Sequence, residues 1–500
     1  MFAAQELKNS ILQLAIQGKL VEQRPDEGTA EELYRRIQSE KAKLLKAGKI
    51  KKEKPLPEIT EDEIPFEIPE TWKWVRVGEI TILNPKNDID DNLDTAFIPM
   101  SCISDGFRNQ HTFEIKKWKD IKKGFTHFAD NDIGIAKITP CFQNRKSVIF
   151  RQLKNGYGAG TTELSIVRVI NATLIHEYLL WFFKSNDFIS NGMESFTGTA
   201  GQQRIHKDYL VKCLIPLPPL EEQKRIVAKI EEIFPHIERF GELRSQLKNI
   251  SEDLRKSILQ QAIQGKLVEQ YPNDEPASEL LKRIRAEKER LIKAGKIKKE
   301  KPLPPITEEE MPFEIPKNWA WSSINELFFV TKLAGFEYTK YFTKGNIRAD
   351  YPVHIVRAKN VKMGHFIENE DEAISADLSD LLYRSALTKN CLLMTFIGAG
   401  IGDTCEYHST KRHHLAPNVA KIEPQTDGIL LQYYLIWLMS PEGQKSIEKI
   451  KKSTAQPSLS METIRSIRVA VPPLAEQQRI VAKIEKILPL CDKLKSIKEK

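Results

Sequence analysis

The sequence predicts an α/β protein built twice over: two mixed α/β globules separated by two long antiparallel helical frame regions, with a pseudo-twofold internal duplication. Three observations lead there, namely a long repeat, helical-period stripes in its matching parts and strand-like runs in its differing parts. SILQLAIQGKLVEQ from Ser10 returns as SILQQAIQGKLVEQ from Ser257, a displacement of 247 residues (257 − 10). The same displacement carries KAGKIKKEKPLP from Lys46 to Lys293 and PFEIPETWKW at Pro65 onto PFEIPKNWAW at Pro312. A second pair of blocks, PPLEEQKRIVAKIE from Pro218 and PPLAEQQRIVAKIE from Pro472, is displaced by 254 (472 − 218). The inserts between the blocks, about 80–215 and 324–469, therefore differ in length as well as sequence. That is the pattern of a repeated scaffold carrying two different heads.

The chain ends sharpen this expectation. Lys500 maps onto Gln246 (500 − 254) and Met1 onto Lys248 (1 + 247), so the two ends together make one copy of a helix that the centre contains whole. The repeat thus predicts adjacent termini, a continuous central helix beside a split one, and tolerance of circular permutation.

The frame elements read as helices. After Pro219 the apolar residues Ile226, Ile230, Ile233, Ile237, Phe240, Leu243, Leu247, Ile250, Leu254 and Ile258 recur every three or four positions, forming one stripe. Glu221 and Glu222 favour its N-terminal end, and Pro235 is expected to kink or divide it. The stripe resumes with Ile480, Ile484, Ile487, Cys491 and Leu494 and again with Leu7, Ile11 and Leu14, which predicts antiparallel pairing of the whole helix with the split one. About 40 residues at 1.5 Å each make a rod of about 60 Å, a spacer between heads. Lysine-rich 35–54 and 282–301 read as short helices ending near Gly48 and Gly295, their interleaved glutamates favouring a solvated or partner-facing role over a phosphate track.

The inserts read differently. DIGIAKI from Asp132 and LSIVRVI from Leu164 are strand-like, and LIHEYLLWFFKS from Leu174 is helical. The second insert has HIVRAKNVKMG from His354, NCLLMTFIG from Asn390 and the helical ILLQYYLIWLMS from Ile429. Trp72, Trp74, Trp319 and Trp321 suit core or hinge packing better than base stacking. The expected divisions are 1–60, 61–217, 218–307, 308–471 and 472–500.

Composition narrows the partners. The 500 residues carry a formal net charge of +8 with 29% charged residues, which favours polyanions without naming one. There is no stretch of 18 apolar residues and no signal-like leader, so a soluble, cytoplasmic protein is expected. The six cysteines form no CxxC pair and read as reduced core thiols.

GIAKITPCFQNRKS from Gly134, GTTELSIVRV from Gly160, the two PPL blocks and the duplicated AIQGKLV segments together resemble the specificity subunits of type I restriction-modification systems, across essentially the whole chain. The resemblance implies that each insert is a target-recognition domain reading one half of an asymmetric, bipartite sequence in double-stranded DNA. It implies helices that set the spacer and dock two modification subunits, which bring S-adenosylmethionine and methylate adenine. It further implies restriction subunits, carrying ATP and Mg, for translocation and cleavage, while this chain holds no cofactor and no catalytic centre and meets no membrane.

Within the first insert Lys137, Thr139, Asn144, Arg145 and Lys146 are the best DNA-facing candidates, with Gln202, Gln203 and Arg204 as a second polar cluster. Glutamine pairs bidentately with adenine and arginine with guanine, but an ordinary basic surface loop would look the same in sequence. The second insert lacks the AKITPCF and GTTE strings. Its candidates are Lys340, Lys344, Arg348, Lys359, Lys362, Lys451, Lys452, Ser453 and Gln456. The divergence predicts unlike half-sites and a non-palindromic target.

Other motifs are weaker. Gly398, Gly400 and Gly402 suggest a turn between strands rather than a nucleotide loop, because the required strand-turn-helix setting is not evident. Cys405, His408, His413 and His414 lack a second compact ligand pair for zinc. No Asn-Pro-Pro-Tyr/Phe or Asp-Pro-Pro-Tyr/Phe string of an adenine methyltransferase occurs, and the Pro-Pro pairs read as helix starts. Two alternatives stay open: a non-catalytic intracellular protein–protein scaffold, and a stand-alone nucleic-acid-modifying enzyme.

Overall fold

The computed structural model describes residues 2–495 apart from 53, 200, 296–302, 305, 369, 409, 427 and 453–456. The chain forms two compact units, Met1–Ser245 and Gln246–Lys500, each with its own buried core. Met1 and 496–500 lie outside the described residues, and with them the expectation of adjacent termini.

The first unit holds two four-stranded sheets. One runs Thr81–Leu83, Leu164–Val169, Ile133–Ala136, Ser147–Ile149, antiparallel throughout. The other runs Glu114–Lys117, Asp94–Ile98, Tyr157–Gly160, Thr126–Ala129, its middle pair parallel. The second unit repeats this order. Phe328–Lys332, Val419–Pro424, Cys391–Thr395 and Thr404–Tyr407 form the antiparallel sheet. Ala373–Ile374, Val353–Val356, His413–Leu415 and Ala386–Leu387 form the mixed one, again with one parallel pair. The helices read from LIHEYLLWFFKS and ILLQYYLIWLMS form at His176–Phe183 and Leu431–Met439, and both are largely buried because they are apolar nearly all round.

Each insert leaves and rejoins the frame through a two-stranded antiparallel ribbon. In the first unit Lys73–Arg76 pairs with Leu214–Leu217, and in the second Ala320–Ser323 pairs with Arg468–Val471. Just beyond the ribbons the duplication persists at atomic detail. Trp72 Nε1 donates to Glu222 Oε2 at 2.8 Å, and Trp319 Nε1 to Glu476 Oε2 at 2.9 Å. Arg225 pairs with Glu27, and Arg479 with Asp274, both at 2.6 Å. Trp72 and Trp319 are thus core residues, while Trp74 and Trp321 pack edge-on or tilted against Phe66 and Phe313.

The lysine-rich segments are helical over Ala30–Lys46 and Ala277–Lys293, and Gly48 and Gly295 follow each with φ of +67°. Thr29 and Glu32 cap the first reciprocally. Lys41 Nζ donates to Gly78 O at 2.7 Å and Lys288 Nζ to Asn325 O at 2.9 Å, so one lysine of each helix fastens it to the base of the insert.

The central helix, Leu220–Ile263, is unbroken through Pro235. Division there does not occur: Pro235 and Glu231, whose carbonyl loses its helical partner, are both exposed residues, while Phe234 and Ile237 on either side of the proline are buried. The same holds for exposed Pro489 within Leu474–Lys495. In the first unit the N-terminal helix Phe2–Ile16 packs antiparallel on the central one, with Lys8 bonded to Glu238 and Ala4 beside Gly241. In the second, the C-terminal helix meets it through Ser251 Oγ to Cys491 O at 2.7 Å and Arg255 to Asp492 at 3.2 Å. Lys8–Glu238 and Arg255–Asp492 are repeat equivalents. The apolar stripe is only partly covered, however: Ile226, Ile230, Ile237 and Ile258 are buried, whereas Phe240, Leu243, Leu247, Ile250 and Leu254 remain exposed. No helix among the described residues is long and apolar enough to cross a membrane. The six cysteines are all free thiols.

Candidate nucleic-acid interface

Where the Ile133–Ala136 strand runs out, the chain forms a polar crossing with a segment some 65 positions away in sequence. Lys137 N donates to Glu163 O at 2.8 Å, Thr139 N to Gln203 O at 2.9 Å, and Ile205 N to Lys137 O at 3.0 Å. Isolated bridges join Ile138 and Thr197 to Arg204. Of the sequence candidates, Lys137, Thr139, Gln202, Gln203 and Arg204 therefore come together. Glu163, which sequence reasoning passed over, organises them. Its carboxylate accepts from Arg204 Nε at 2.9 Å and Nη2 at 2.8 Å, a bidentate pair that fixes the plane of the guanidinium. Arg204 beside it holds the Glu163 carboxyl below its ordinary range. Burial pulls the Lys137 ammonium below the usual lysine range, Glu163 opposing and Arg204 adding to the effect. Thr139 Oγ1 is buried without a hydrogen-bond partner among the described residues.

The rest of the loop has other work. Asn144 is exposed, but its carbonyl accepts from Gly106 N at 2.8 Å. Lys146 Nζ donates to Met100 O at 3.1 Å. Arg145 turns inward: its Nε donates to Lys184 O at 2.9 Å, its Nη2 to Asn9 Oδ1 at 3.2 Å and to Asn186, and its guanidinium lies 5.1 Å from the Phe107 ring centre. These contacts tie the loop to the N-terminal helix. Arg145 has a φ of +53°, and its side chain holds the loop from the protein side.

The second unit builds the same crossing from other side chains. Phe396 N donates to Asn418 O and Leu459 N to Phe396 O, both at 2.9 Å, while Ile397 and Lys452 bridge to Ser458. Phe396, Asn418 and Ser458 thus stand where the first unit has Lys137, Glu163 and Arg204. The ion pair is gone, and the Lys332 ammonium sits 4.8 Å from the Phe396 ring centre. The glycines once comparable to a nucleotide loop join the strands Cys391–Thr395 and Thr404–Tyr407, with φ of +97°, +86° and +91° at Gly398, Gly400 and Gly402. Such angles favour glycine. His413 Nδ1 lies 2.9 Å from the Tyr407 hydroxyl and His414 Nδ1 3.1 Å from the Ser379 hydroxyl, so both rings are bound into the core.

The remaining candidates of this unit are dispersed. Lys340 lies on the helix Gly335–Tyr341 over the Tyr341 ring at 4.9 Å, and exposed Lys344 follows it. Arg348 pairs with Asp350 at 2.7 Å and Lys359 with Asp371 at 3.2 Å. Lys362 is exposed on the short strand Val361–Lys362, and Lys451 pairs with Glu448 at 3.1 Å. Among the described candidates, exposed Lys452 alone joins the crossing, through its backbone N to Ser458 O at 3.0 Å. Ser453 and Gln456 lie outside the described residues.

A cleft of about 700 Å³ in the first unit is walled by Phe66, Trp74, Phe182 and Tyr209 beside Arg76. Arg76 is engaged by Pro57 O, Lys212 O and Glu63. In the second unit the larger Trp437 stands at the position of Phe182 and packs against Phe313 and Trp321.

Residues 69–249 and 316–500 match the family described as Type I restriction modification DNA specificity domain. The chain is 38% identical to the Type I restriction enzyme EcoAI specificity subunit of Escherichia coli, over 99% of this chain and 91% of that one. It is 37% identical to the EcoEI specificity subunit of Escherichia coli, with the same coverage of 99% and 91%. A solved structure described as the structural basis of complex assembly and conformational transition of the type I R-M system superposes with a TM-score of 0.60 at 18% identity, covering 86% of this chain and 93% of that one, a likeness of fold.

Proposed function

The chain belongs to the DNA specificity subunits of type I restriction-modification systems, and on that premise we propose that it reads an asymmetric bipartite target in double-stranded DNA, one half with each insert. As a specificity subunit it is the sequence-recognising, non-catalytic component of its complex. The observation that carries the finer reading is the crossing that both inserts share: one backbone geometry presents Lys137, Glu163 and Arg204 in the first and Phe396, Asn418 and Ser458 in the second. Two reading surfaces with different hydrogen-bonding groups recognise different half-sites. Under this proposal 61–217 and 308–471 are the reading domains, and 1–60, 218–307 and 472–500 supply the frame.

The proposal extends to assembly in the cytoplasm. Two modification subunits, which bring S-adenosylmethionine and methylate adenine, dock on the helical frame, and restriction subunits bring ATP and Mg. The exposed stripe Phe240, Leu243, Leu247, Ile250 and Leu254 supports such docking, since solvated helices seldom present five apolar residues in register. Mapping methylated adenines in DNA from cells with and without this chain tests the whole reading. Two unlike half-sites at a fixed separation are expected to vanish with the chain, and an unchanged methylation map rejects the proposal.

A further inference from the structure

One lysine of the first unit is fully buried with no ion pair among the described residues. Lys184, the residue closing the helix His176–Phe183, has no exposed surface, and its Nζ donates to Gly106 O at 2.7 Å and Arg145 O at 2.9 Å. Arg145 Nε returns a bond to Lys184 O at 2.9 Å, and Gly106 N donates to Asn144 O at 2.8 Å. One ammonium thus fastens two loops to a helix end, and one of those loops carries Thr139, Asn144 and Arg145. Removing a buried ammonium from water is costly, so an apolar residue would be the ordinary choice in such a place.

The second unit makes that choice. Tyr178 and Tyr433 both donate to the returning ribbon strand, to Pro216 O at 2.6 Å and Ala470 O at 2.8 Å, and Ser185 and Ser440 both cap the following helix. Counting from these fixed points, Lys184 corresponds to Met439. Gly106 corresponds to Gly364: both have positive φ, +63° and +78°, and a Cβ at Gly364 would come within 2.9 Å of the Met439 methyl. A thioether packs in one head where an ammonium bonds in the other.

We infer that Lys184 is a positioning residue of the first head, fixing through the carbonyls of Gly106 and Arg145 the loop that carries Thr139 and presents Asn144, and that the second head is held without charge. This rests on the proposed reading of DNA by each insert. Lys184 touches no DNA itself; it acts through the loop. Burial, reinforced by Arg145 and Arg108 and opposed by Asp105, brings its ionisation down to about 7. Below that pH the fastened loop must hold a buried ammonium at a desolvation cost, whereas above it the neutral amine still has two N–H groups to donate to the two carbonyls without that cost.

The test uses the full chain assembled with its modification subunits, and duplexes carrying the mapped target intact, altered in the first half-site, or altered in the second. Binding is measured at about pH 6, 7 and 8.5. Lys184→Met, which copies the solution of the second unit, is expected to lose about tenfold in discrimination at the first half-site alone. Its salt slope stays unchanged, because no phosphate contact is removed. Wild-type discrimination at that half-site rises as pH climbs through neutrality, and the variant is flat. Equal discrimination by both proteins at every pH, or a loss shared by both half-sites, overturns the inference. If the Met variant does not accumulate, Lys184→Gln, which keeps a donor without a titrating charge, is read the same way, and a pH profile that follows wild type overturns it. A wild-type complex that tells no altered duplex from the intact one overturns the reading of DNA and this inference with it.

Discussion

The two inserts share a skeleton but not the polar side chains at its crossing. Strand orders, ribbon pairing and the crossing recur, yet the first unit places a bidentate Glu163–Arg204 pair beside Lys137, while the second places Phe396, Asn418 and Ser458 at those points. Backbone hydrogen bonds fix the crossing, so the side chains on it are free to differ without unfolding it. The difference teaches that position belongs to the frame and identity to the insert.

The comparison is broken most severely by exchange. Replacing 80–215 by the insert of another family member is expected to change one half-site completely and leave the other intact, read by sequencing methylated sites; loss of both halves contradicts independent heads. Next comes the ion pair. Arg204→Ala is expected to weaken binding about tenfold through the first half-site, while Ser458→Ala, which removes only a hydroxyl, changes second-half binding less. Competition with half-site-altered duplexes checks both, and equal effects would erase the contrast.

Stability distinguishes the units more gently. Lys184 ionises near 7 in the folded protein and near the ordinary lysine value when unfolded, so between those values only the unfolded chain holds the proton. The contribution of this group to stability is then absent below about pH 7, grows as pH rises through that window, and is complete above the ordinary lysine value. Wild type should therefore gain on Lys184→Met by about 1 kcal/mol per pH unit above neutrality, read from denaturant midpoints. Met439→Leu should show no pH-dependent difference. The smallest effect is expected for Lys146→Ala: its ammonium is bonded to Met100 O, so DNA affinity should change by less than about twofold and the salt slope hardly at all. A slope reduced by about one would place Lys146 on a phosphate instead.

The frame was legible because periodicity and repetition are carried by the chain itself: the long helices, the glycines ending the lysine-rich helices and the core residues Trp72 and Trp319 fall where expected, although five residues of the central stripe stay exposed. Pro235 misled because burial of its neighbours and water on its open side outweigh one missing bond. The sites were less legible. Arg145 reads as a basic loop residue, but its direction is set by Lys184, Asn186 and Asn9, all distant in sequence. Glu163 sits one residue before a strand, and only the return of 203–205 gives it a role. Lys184 left a faint signal, a lysine closing an apolar helix where the repeat has methionine.

The ribbons explain why the repeat displacement could drift from 247 to 254. Arg76 lies opposite Leu214 and Ser323 opposite Arg468, so the chain is brought back to its starting point before the frame resumes. The entropy of closing such an excursion grows only with the logarithm of its length, and a few added residues alter it by a small fraction of RT. For the frame, each insert amounts to a closed loop of indifferent size, which is why so much of the chain can vary while the helices keep their register.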